Sequence, residues 1–324
     1  GGGFLGRYVV EQLQARGDEV TVLGRRKYPE LEAMGVAGMQ CDLQDKKAVF
    51  RSCEGMDVVF HVAAHMGHWG QWATFYNINV QGTQNVLDAC LAQGVGRLVY
   101  TSTPSVVFQH QDLCDANEDQ PYATKFDSHY AHSKSLAEQL VLNANEVAGL
   151  KTVSLRPHLI WGPRDTHLVP GIFAQAKLGK LLAIGDRKNL VDVAYVENVA
   201  DAHLLACDAL STNPNVAGKA YFIGQEEPVN LWDFIDLLLE RAGLSKVKGR
   251  LPAKLAYGYA GMLEGLYRFL PLKGEPRVTR FLVGQMSRMQ YFELSRARKD
   301  LGYVSKVSTE EGVDRLIRSL KSAE

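Results

Sequence analysis

The sequence has few of the features that mark secreted, membrane-spanning or metal-stabilised proteins. Its five cysteines are an odd number without a Cys-x-x-Cys pair, so we expect neither a disulfide framework nor a structural zinc site. No apolar run reaches the roughly 18 to 20 uncharged residues of a membrane span, and the richest stretch, 251–272, is interrupted by Lys254 and Arg268. Scattered, reduced cysteines are typical of a cytoplasmic protein.

An excess of charge of either sign is also lacking. The 324 residues include 36 Lys and Arg and 36 Asp and Glu, so the formal net charge is zero. This balance excludes a strongly basic nucleic-acid binder, and no nucleic-acid partner is expected. Hydrophobic residues make up 46% of the chain, which is typical of a globular protein rather than a disordered one.

Helical and strand patterns alternate along the first part of the chain. Apolar residues recur at helical spacing between Tyr8 and Ala15, and the β-branched segment 20–23 follows. Further strand patterns lie at 58–62, 98–100, 152–155 and 220–223, with a helix predicted over about 133–146. This alternation predicts an α/β fold with a doubly wound, Rossmann-type parallel sheet.

The pattern changes beyond about residue 164, where helical segments come to dominate. We therefore predict a nucleotide-binding domain formed by residues 1–163 and 191–224. Residues 164–190 and 225–324 would form a smaller, mainly helical and discontinuous substrate-binding domain.

A glycine-rich run opens the chain. Gly3-x-x-Gly6 leads into the first helical pattern, and Phe4 and Leu5 between the glycines are core-type residues. Such glycines let the backbone approach a pyrophosphate at a helix N-terminus, where free N–H groups favour negative charge. A purification remnant is the alternative. A first strand and a further motif glycine would precede residue 1, so we expect roughly ten or more additional N-terminal residues in the natural protein.

Two arginines follow the second predicted strand. Gly24-Arg25-Arg26 stands where a dinucleotide fold usually places an acid for the ribose 2′-hydroxyl. An acid would repel a 2′-phosphate, whereas a glycine followed by two arginines leaves room and supplies bidentate donors. The sequence therefore predicts NADP(H) in preference to NAD(H). Ordinary solvated surface charges are the alternative for both arginines.

The pattern Tyr130-x-x-x-Lys134 marks a candidate catalytic pair. Residues four apart share one helix face, so the ammonium of Lys134 would lie near the phenol of Tyr130 and favour its ionisation. A tyrosine tuned in this way serves as an acid or base. The hydroxyl-rich segment 101–105 ends a predicted strand, where a side chain could bond a substrate carbonyl. Capping of the following turn is the alternative role for these hydroxyls.

Together these motifs resemble the extended short-chain dehydrogenase/reductases, the family of NAD-dependent epimerases and dehydratases, and within it the 3β-hydroxysteroid dehydrogenase-like branch. The matching pieces, in chain order, are Gly3-x-x-Gly6, Asp42-Leu43, His61-Val62-Ala63-Ala64, Asn79-Val80-Gln81-Gly82-Thr83, Thr101-Ser102-Thr103, Tyr130-x-x-x-Lys134, 156–163 and 196–203. The resemblance implies an oxidoreductase that interconverts a ketone and a secondary alcohol.

The resemblance also implies roles for individual residues. Tyr130 would exchange a proton with the reacting oxygen, Lys134 would lower the pKa of Tyr130 and hold the nicotinamide ribose, and Thr103 would bond the substrate oxygen, with Ser102 as its possible substitute. The cofactor contacts it implies beyond Gly3, Phe4, Leu5, Gly6, Arg25 and Arg26 are Asp42, Leu43, Ala63, Ala64, Thr101, Ser102, Tyr130, Lys134, Pro157, His158 and Ile160. Asn79 would brace the sheet. No metal is expected, because His65-x-x-His68 lacks a third ligand.

Apolar residues in the C-terminal half point to the substrate class. They are Leu255, Tyr259, Met262, Leu263, Leu266, Tyr267, Phe269 and Leu270 on one helical stretch, followed by Phe281, Leu282, Met286, Met289, Tyr291 and Phe292. Core packing is the alternative for about half of them. If these residues are not core residues, Met and Tyr side chains among glycines predict an adaptable pocket or lid. It would cover an apolar ligand and contact a membrane surface. A sugar-nucleotide site would instead need cationic groups for the diphosphate.

Three segments, 100–106, 159–163 and 274–282, are similar to bacterial reductases of long-chain olefin biosynthesis. That resemblance implies NADPH-dependent reduction of a 2-alkyl-3-oxoalkanoic acid, with neighbouring pathway enzymes as partners, and the family suggests a homodimer. A 3β-hydroxysteroid or sterol dehydrogenase, a sugar-nucleotide epimerase or dehydratase, and a non-catalytic NADP(H)-sensing protein are the alternatives.

Overall fold

The structure is a computed structural model that describes residues 1–270, 272 and 274–322. The predicted domain range 225–324 therefore includes four residues, Pro271, Lys273, Ala323 and Glu324, that lie outside the described residues.

The strands are β1 (Thr21–Gly24), β2 (Ala37–Gln40), β3 (Val58–His61), β4 (Arg97–Thr101), β5 (Leu113–Ala116), β6 (Lys151–Pro157), β7 (Ile160–Trp161), β8 (Leu182–Ile184), β9 (Leu190–Val191), β10 (Ala194–Tyr195), β11 (Lys219–Ile223), β12 (Val229–Asn230), β13 (Gly249–Leu251) and β14 (Gln290–Phe292). The helices are α1 (Phe4–Arg16), α2 (Pro29–Glu32), α3 (Lys46–Ser52), α4 (Trp72–Phe75), α5 (Gly82–Gln93), α6 (His129–Asn143), α7 (Leu168–Lys177), α8 (Val196–Thr212), α9 (Leu231–Arg241), α10 (Ala253–Phe269), α11 (Arg280–Ser287), α12 (Ser295–Leu301) and α13 (Thr309–Lys321). A π-helical turn, Tyr76–Gln81, joins α4 to α5.

The main sheet is parallel and has the order β11–β6–β4–β3. Strands β1 and β2 pair in parallel as a separate two-stranded sheet. Strands β4 and β6 are almost entirely buried, as expected when helices cover both faces of a parallel sheet. The predicted Rossmann-type α/β fold is therefore confirmed.

Successive residues of β4 face opposite sides of the sheet. Val99 packs in a hydrophobic cluster with residues of α1 and α8. Leu98 and Tyr100 pack on the other side with residues of α5 and α6. This alternation directs Tyr100 toward the helix that carries the predicted catalytic pair.

A second sheet has the order β12–β9–β14–β5, so β5 from the first half of the chain pairs with β14 near its end. Leu113 of β5 and Phe292 of β14 pack in the same cluster as Val99. Another cluster contains Trp161, Trp232 and residues of α9, α10 and α13, and Val191 of β9 belongs to it. The exact division into two domains stays a prediction.

Helix α6 begins at His129, four residues before its predicted start. The Ser128 hydroxyl accepts a hydrogen bond from the Tyr130 N–H and so caps the helix. Tyr130 therefore lies in the first turn of α6, and Lys134 lies one turn later.

Candidate active site

The predicted site residues lie mainly at the carboxyl ends of strands. Arg25 and Arg26 follow β1, Asp42 and Leu43 follow β2, Ala63 and Ala64 follow β3, Thr101 ends β4 before Ser102 and Thr103, Pro157 ends β6 before His158, and Ile160 begins β7. In open α/β sheets, ligands bind in the crevice outside these strand ends. The structure thus places the predicted residues where this fold offers a binding site.

Lys134 is fully buried and fixed by two hydrogen bonds. Its Nζ donates to the Tyr100 hydroxyl and to the Thr101 carbonyl oxygen, at 2.6 Å each. The ammonium also lies 4.0 Å from the centroid of the Tyr100 ring. Burial lowers the pKa of Lys134 to about 7, while the nearby Glu138 carboxylate opposes this shift. Lys134 is therefore a desolvated amine held against the end of β4.

Tyr130 is positioned next to Thr103. Burial raises the pKa of Tyr130 to about 12, and a hydrogen bond with Thr103 opposes the rise. Thr103 is buried, and its hydroxyl accepts a hydrogen bond from the Ser105 N–H at 3.3 Å. Thr103 thus caps the short turn after β4, the alternative role considered above, and also lies beside the Tyr130 phenol. At neutral pH Tyr130 therefore carries its proton. The expected lowering of its pKa by Lys134 is not seen, because the Lys134 amine is held by Tyr100 and Thr101 instead.

Asn79 braces the start of α6 from the π-helical turn. Its Nδ2 donates to the Ser133 hydroxyl at 2.9 Å and to the His65 carbonyl at 3.0 Å. Its Oδ1 accepts from the His65 N–H at 2.7 Å. Asn79 therefore joins the loop after β3 to the residue that precedes Lys134.

A buried ion pair lies one turn beyond Lys134. Arg156 donates from Nε to both carboxylate oxygens of Glu138, at 3.1 Å each. Tyr122 and Ser154 donate to the same carboxylate, at 2.8 Å each. Burial would raise the pKa of Glu138, but the Arg156 guanidinium outweighs burial and the pKa is lowered. A negative charge is thus fixed close to the Lys134 ammonium.

The N-terminus of α1 fits the pyrophosphate of a dinucleotide. Gly3 is its N-cap residue, and within the described chain no side chain caps this end and no acid lies in its first turn. A Cβ atom at Gly3 would meet nothing within 4 Å, so the space before the helix is open, whereas one at Gly6 would lie 2.8 Å from the Gly1 oxygen. Uncapped N–H groups facing open space suit an anionic group.

Arg25 and Arg26 are exposed at the end of β1. Neither guanidinium forms an ion pair with a carboxylate in the part of the chain that the structure describes. Arg26 lies 5.5 Å from the centroid of the Tyr28 ring. Gln40 donates to the Arg25 carbonyl at 2.9 Å, which joins the end of β1 to β2.

His158 and Gln285 meet on the other side of the crevice. Burial lowers the pKa of His158 to about 4, so its ring is neutral. Its Nε2 lies 3.4 Å from the Gln285 Oε1 on α11. The Gln285 Nε2 is shielded from solvent and has no hydrogen-bond partner among the residues described. It is a free donor that sequence analysis did not find, because one glutamine in a helical segment carries no pattern.

Most apolar residues of α10 are exposed to solvent, whereas they were predicted to line a pocket. Ala256, Ala260 and Glu264 are the buried residues of this helix. Of the eight residues at 255–270 that were predicted to line a pocket, six are exposed: Leu255, Tyr259, Met262, Leu266, Phe269 and Leu270. The predicted lining was wrong for these six, because the small alanine side chains form the packed face. Tyr267 does face the protein, and its ring centroid lies 6.3 Å from that of Trp69 in the loop after β3.

No helix within the described ranges is both long and apolar enough to span a bilayer. In the same ranges, no three His, Cys, Asp or Glu side chains are grouped so as to hold a metal ion. All five cysteines are free, and Cys114 is the exposed one.

Known proteins are similar to this chain in sequence and in fold. The model of the 3-beta hydroxysteroid dehydrogenase/isomerase family matches residues 1–253. The 2-alkyl-3-oxoalkanoate reductase of Shewanella oneidensis is 45% identical over 98% of this chain and 84% of its own length. The decarboxylating sterol-4-alpha-carboxylate 3-dehydrogenase of Mus musculus is 35% identical over 98% of this chain and 89% of its own. The structure of UDP-glucose 4-epimerase from Thermotoga maritima superposes with a TM-score of 0.77 at 22% identity, covering 100% of this chain and 97% of that one, which shows the fold.

A parallel Rossmann-type sheet with an uncapped glycine turn at the start of its first helix is typical of dinucleotide-binding proteins. The chain belongs to the 3-beta hydroxysteroid dehydrogenase/isomerase family. It is an NAD(P)-dependent oxidoreductase that acts on CH–OH groups, so the resemblance inferred from the motifs is confirmed.

Proposed function

We propose that this chain reduces a 2-alkyl-3-oxoalkanoic acid to the 2-alkyl-3-hydroxyalkanoic acid with NADPH, and that Tyr130 donates the proton. The observation that supports the reaction most directly is the buried, protonated Tyr130 beside Thr103 at the end of β4. The choice of substrate rests on the 45% identity with the Shewanella reductase, against 35% with the mouse sterol dehydrogenase.

Each of three side chains has a distinct task in this reaction. Thr103 donates a hydrogen bond to the ketone oxygen and Tyr130 transfers its proton to the same oxygen. The Lys134 ammonium stabilises the phenolate that remains on Tyr130. When bound, a reduced nicotinamide cofactor supplies the hydride that the carbonyl carbon accepts. Tyr100 and Thr101 hold Lys134 in place throughout, at 2.6 Å each.

The names of the two relatives describe substrates with a common group. In a 2-alkyl-3-oxoalkanoate and in a sterol 4-carboxylate oxidised at carbon 3, the carboxylate is attached to the carbon next to the reacting carbon. We infer that this chain also acts on such a branched 3-oxo or 3-hydroxy acid. A sterol acid is thus the second candidate substrate.

The reaction is tested with the purified full chain, NADP+ and a 2-alkyl-3-hydroxyalkanoic acid, by measuring the formation of NADPH. A 3β-hydroxysterol 4-carboxylate in parallel decides between the two candidates through kcat/KM. Tyr130→Phe should lower kcat by roughly a hundredfold or more, because the acid is lost while the ring is kept. Tyr259→Phe, an exposed tyrosine on α10, is the matched control. Full activity of Tyr130→Phe would refute the proposed mechanism.

The preference for NADPH rests on Arg25 and Arg26. Replacing both with alanine should lower kcat/KM for NADPH by roughly ten- to a hundredfold, the contribution of one or two charge-assisted hydrogen bonds. The value for NADH should stay unchanged, because NADH has no 2′-phosphate. Lys27→Ala, at the adjacent exposed cation, is the control. A wild-type chain that prefers NADH would overturn this assignment.

A further inference from the structure

Gln285 on α11 holds a hydrogen-bond donor that the described residues leave without an acceptor. The residue is half-buried, but its Nε2 atom is shielded from solvent and has no partner among those residues. A buried donor of this kind is costly, because it loses its hydrogen bonds to water and gains none in return. Such a group in a crevice therefore points to a ligand atom that accepts the bond.

The orientation of the Gln285 amide is fixed by His158. The His158 ring is buried, and its Nε2 lies 3.4 Å from the Gln285 Oε1. Because an amide oxygen can only accept, the neutral ring donates from Nε2 in this pair. The oxygen side of the amide is thus occupied, and the Nε2 side is the one left for a ligand.

Gln285 lies at the same end of the sheet as the proposed catalytic residues. His158 follows β6 and Thr103 follows β4, and these two strands are neighbours in the sheet. Gly284, which precedes Gln285, packs against the segment after Thr103, since a Cβ atom at Gly284 would lie 3.1 Å from the Phe108 ring. Helix α11 thus contacts the segments that follow both strands.

The position of Gln285 in the chain favours substrate over cofactor as its ligand. The cofactor contacts implied by the family resemblance come from residues 3–160, whereas Gln285 belongs to the C-terminal range predicted to bind substrate. A substrate of the proposed kind has one strong acceptor besides the reacting oxygen, namely the carboxylate on the neighbouring carbon. Hydrogen bonds to a carboxylate are stronger than those between neutral groups.

We propose that the Gln285 Nε2 binds the carboxylate of the substrate and so selects 2-alkyl-3-hydroxy and 2-alkyl-3-oxo acids over plain alcohols and ketones. Thr103 and Tyr130 hold the reacting oxygen and Gln285 holds the carboxylate beside it, so two attachments orient the reacting carbon. A substrate without the carboxylate leaves the donor unpaired and is rejected. The assignment depends on the proposed function, which supplies the acid as substrate.

Oxidation with NADP+ by the full chain tests this selection. The two substrates are a 2-alkyl-3-hydroxyalkanoic acid and the secondary alcohol in which hydrogen replaces its carboxyl group. Gln285→Met keeps an unbranched side chain but has no donor. It should lower kcat/KM for the acid by roughly ten- to a hundredfold, the usual contribution of a hydrogen bond to a charged group. It should not lower kcat/KM for the alcohol.

Two further variants complete the comparison. Gln285→Glu keeps an acceptor toward His158 but replaces the donor with an acid, so it should lower kcat/KM for the acid substrate at least as much. Gln93→Met is the matched control, because Gln93 ends α5 and its Nε2 donates to the Phe50 carbonyl at 3.3 Å. It should behave like the wild type. Unchanged circular dichroism and thermal unfolding check that the variants fold.

Binding without turnover distinguishes a substrate contact from a cofactor contact. Gln285→Met should bind NADPH with the Kd of the wild type. Weaker binding of NADPH would overturn the proposal, because Nε2 would then contact the cofactor. With NADPH bound, which cannot oxidise the 3-hydroxy acid, the Kd of this acid should rise roughly tenfold or more in Gln285→Met.

The same measurements keep this proposal apart from the proposed function. A wild type that binds the acid more tightly than Gln285→Met but does not oxidise it would refute the proposed function and support the carboxylate site. Equal kcat/KM for the acid in the wild type and in Gln285→Met would overturn the carboxylate site alone. So would equal losses for the acid and the alcohol. A wild type that neither binds nor oxidises the acid would overturn both.

Discussion

Replacing Lys134 with methionine should change how stability depends on pH. Methionine keeps the unbranched shape and fills the same volume but has no amine. Burial lowers the pKa of Lys134 to about 7 in the folded chain, whereas an unfolded lysine titrates near 10.4. Between these values the unfolded chain binds more protons than the folded one. The stability of the wild type therefore rises with pH in this window, and is lowest below it.

The magnitude follows from the two pKa values. The free energy of unfolding of the wild type, relative to Lys134→Met, should increase by about 2 kcal/mol from about pH 7 to about pH 9. Urea unfolding of both proteins across this range measures the difference. Only the change in the free energy of unfolding with pH is compared. The loss of the hydrogen bonds to Tyr100 and Thr101 contributes equally at every pH and therefore cancels. Lys177→Met, an exposed lysine at the end of α7, should follow the wild type. A difference that is independent of pH would refute the account of Lys134 as a desolvated amine.

Two further predictions concern buried carboxylates. Glu138→Gln should destabilise the chain by about 3–5 kcal/mol in urea unfolding, because Arg156 stays buried without a counter-charge. Replacing both residues with methionine should recover at least half of this loss, and failure to do so would contradict the assignment of the cost to the unpaired charge. Burial raises the pKa of Asp192 to about 7. The folded chain therefore binds more protons than the unfolded chain between about pH 4 and 7. Stability falls as the pH rises through that window. Asp192→Asn should therefore be more stable than the wild type by roughly 2–4 kcal/mol near pH 8 and little changed near pH 4; equal stabilities near pH 8 would count against it.

Local patterns were sufficient to predict the sheet and the strand ends. The strand patterns at 98–100 and 152–155 and the glycines before α1 are recognisable from neighbouring residues alone. The structure has β4, β6 and α1 close to these predicted positions. The Tyr130–Lys134 pair was found by its spacing in one helix. The predicted start of α6 was late, although Ser128 was a recognisable N-cap.

Contacts between distant segments could not be predicted in the same way. Tyr100 looks like an ordinary strand residue in the sequence, and its bond to Lys134 depends on how β4 packs against α6. The pairing of β5 with β14 joins segments about 175 residues apart. The exposed residues Leu255, Tyr259, Met262, Leu266 and Phe269 of α10 are predicted to line a pocket, because amphipathic spacing gives the width of an apolar face but not what covers it.

The π-helical turn at 76–81 determines which sequence changes this site tolerates. A π turn holds more residues than an α turn, so deleting one residue there would restore a regular helix and change the directions in which the side chains of the turn point. Asn79 would then no longer reach both Ser133 and His65. Single deletions in this turn should therefore be more harmful than single substitutions, and its length, more than most of its side chains, should be preserved when the sequence diverges.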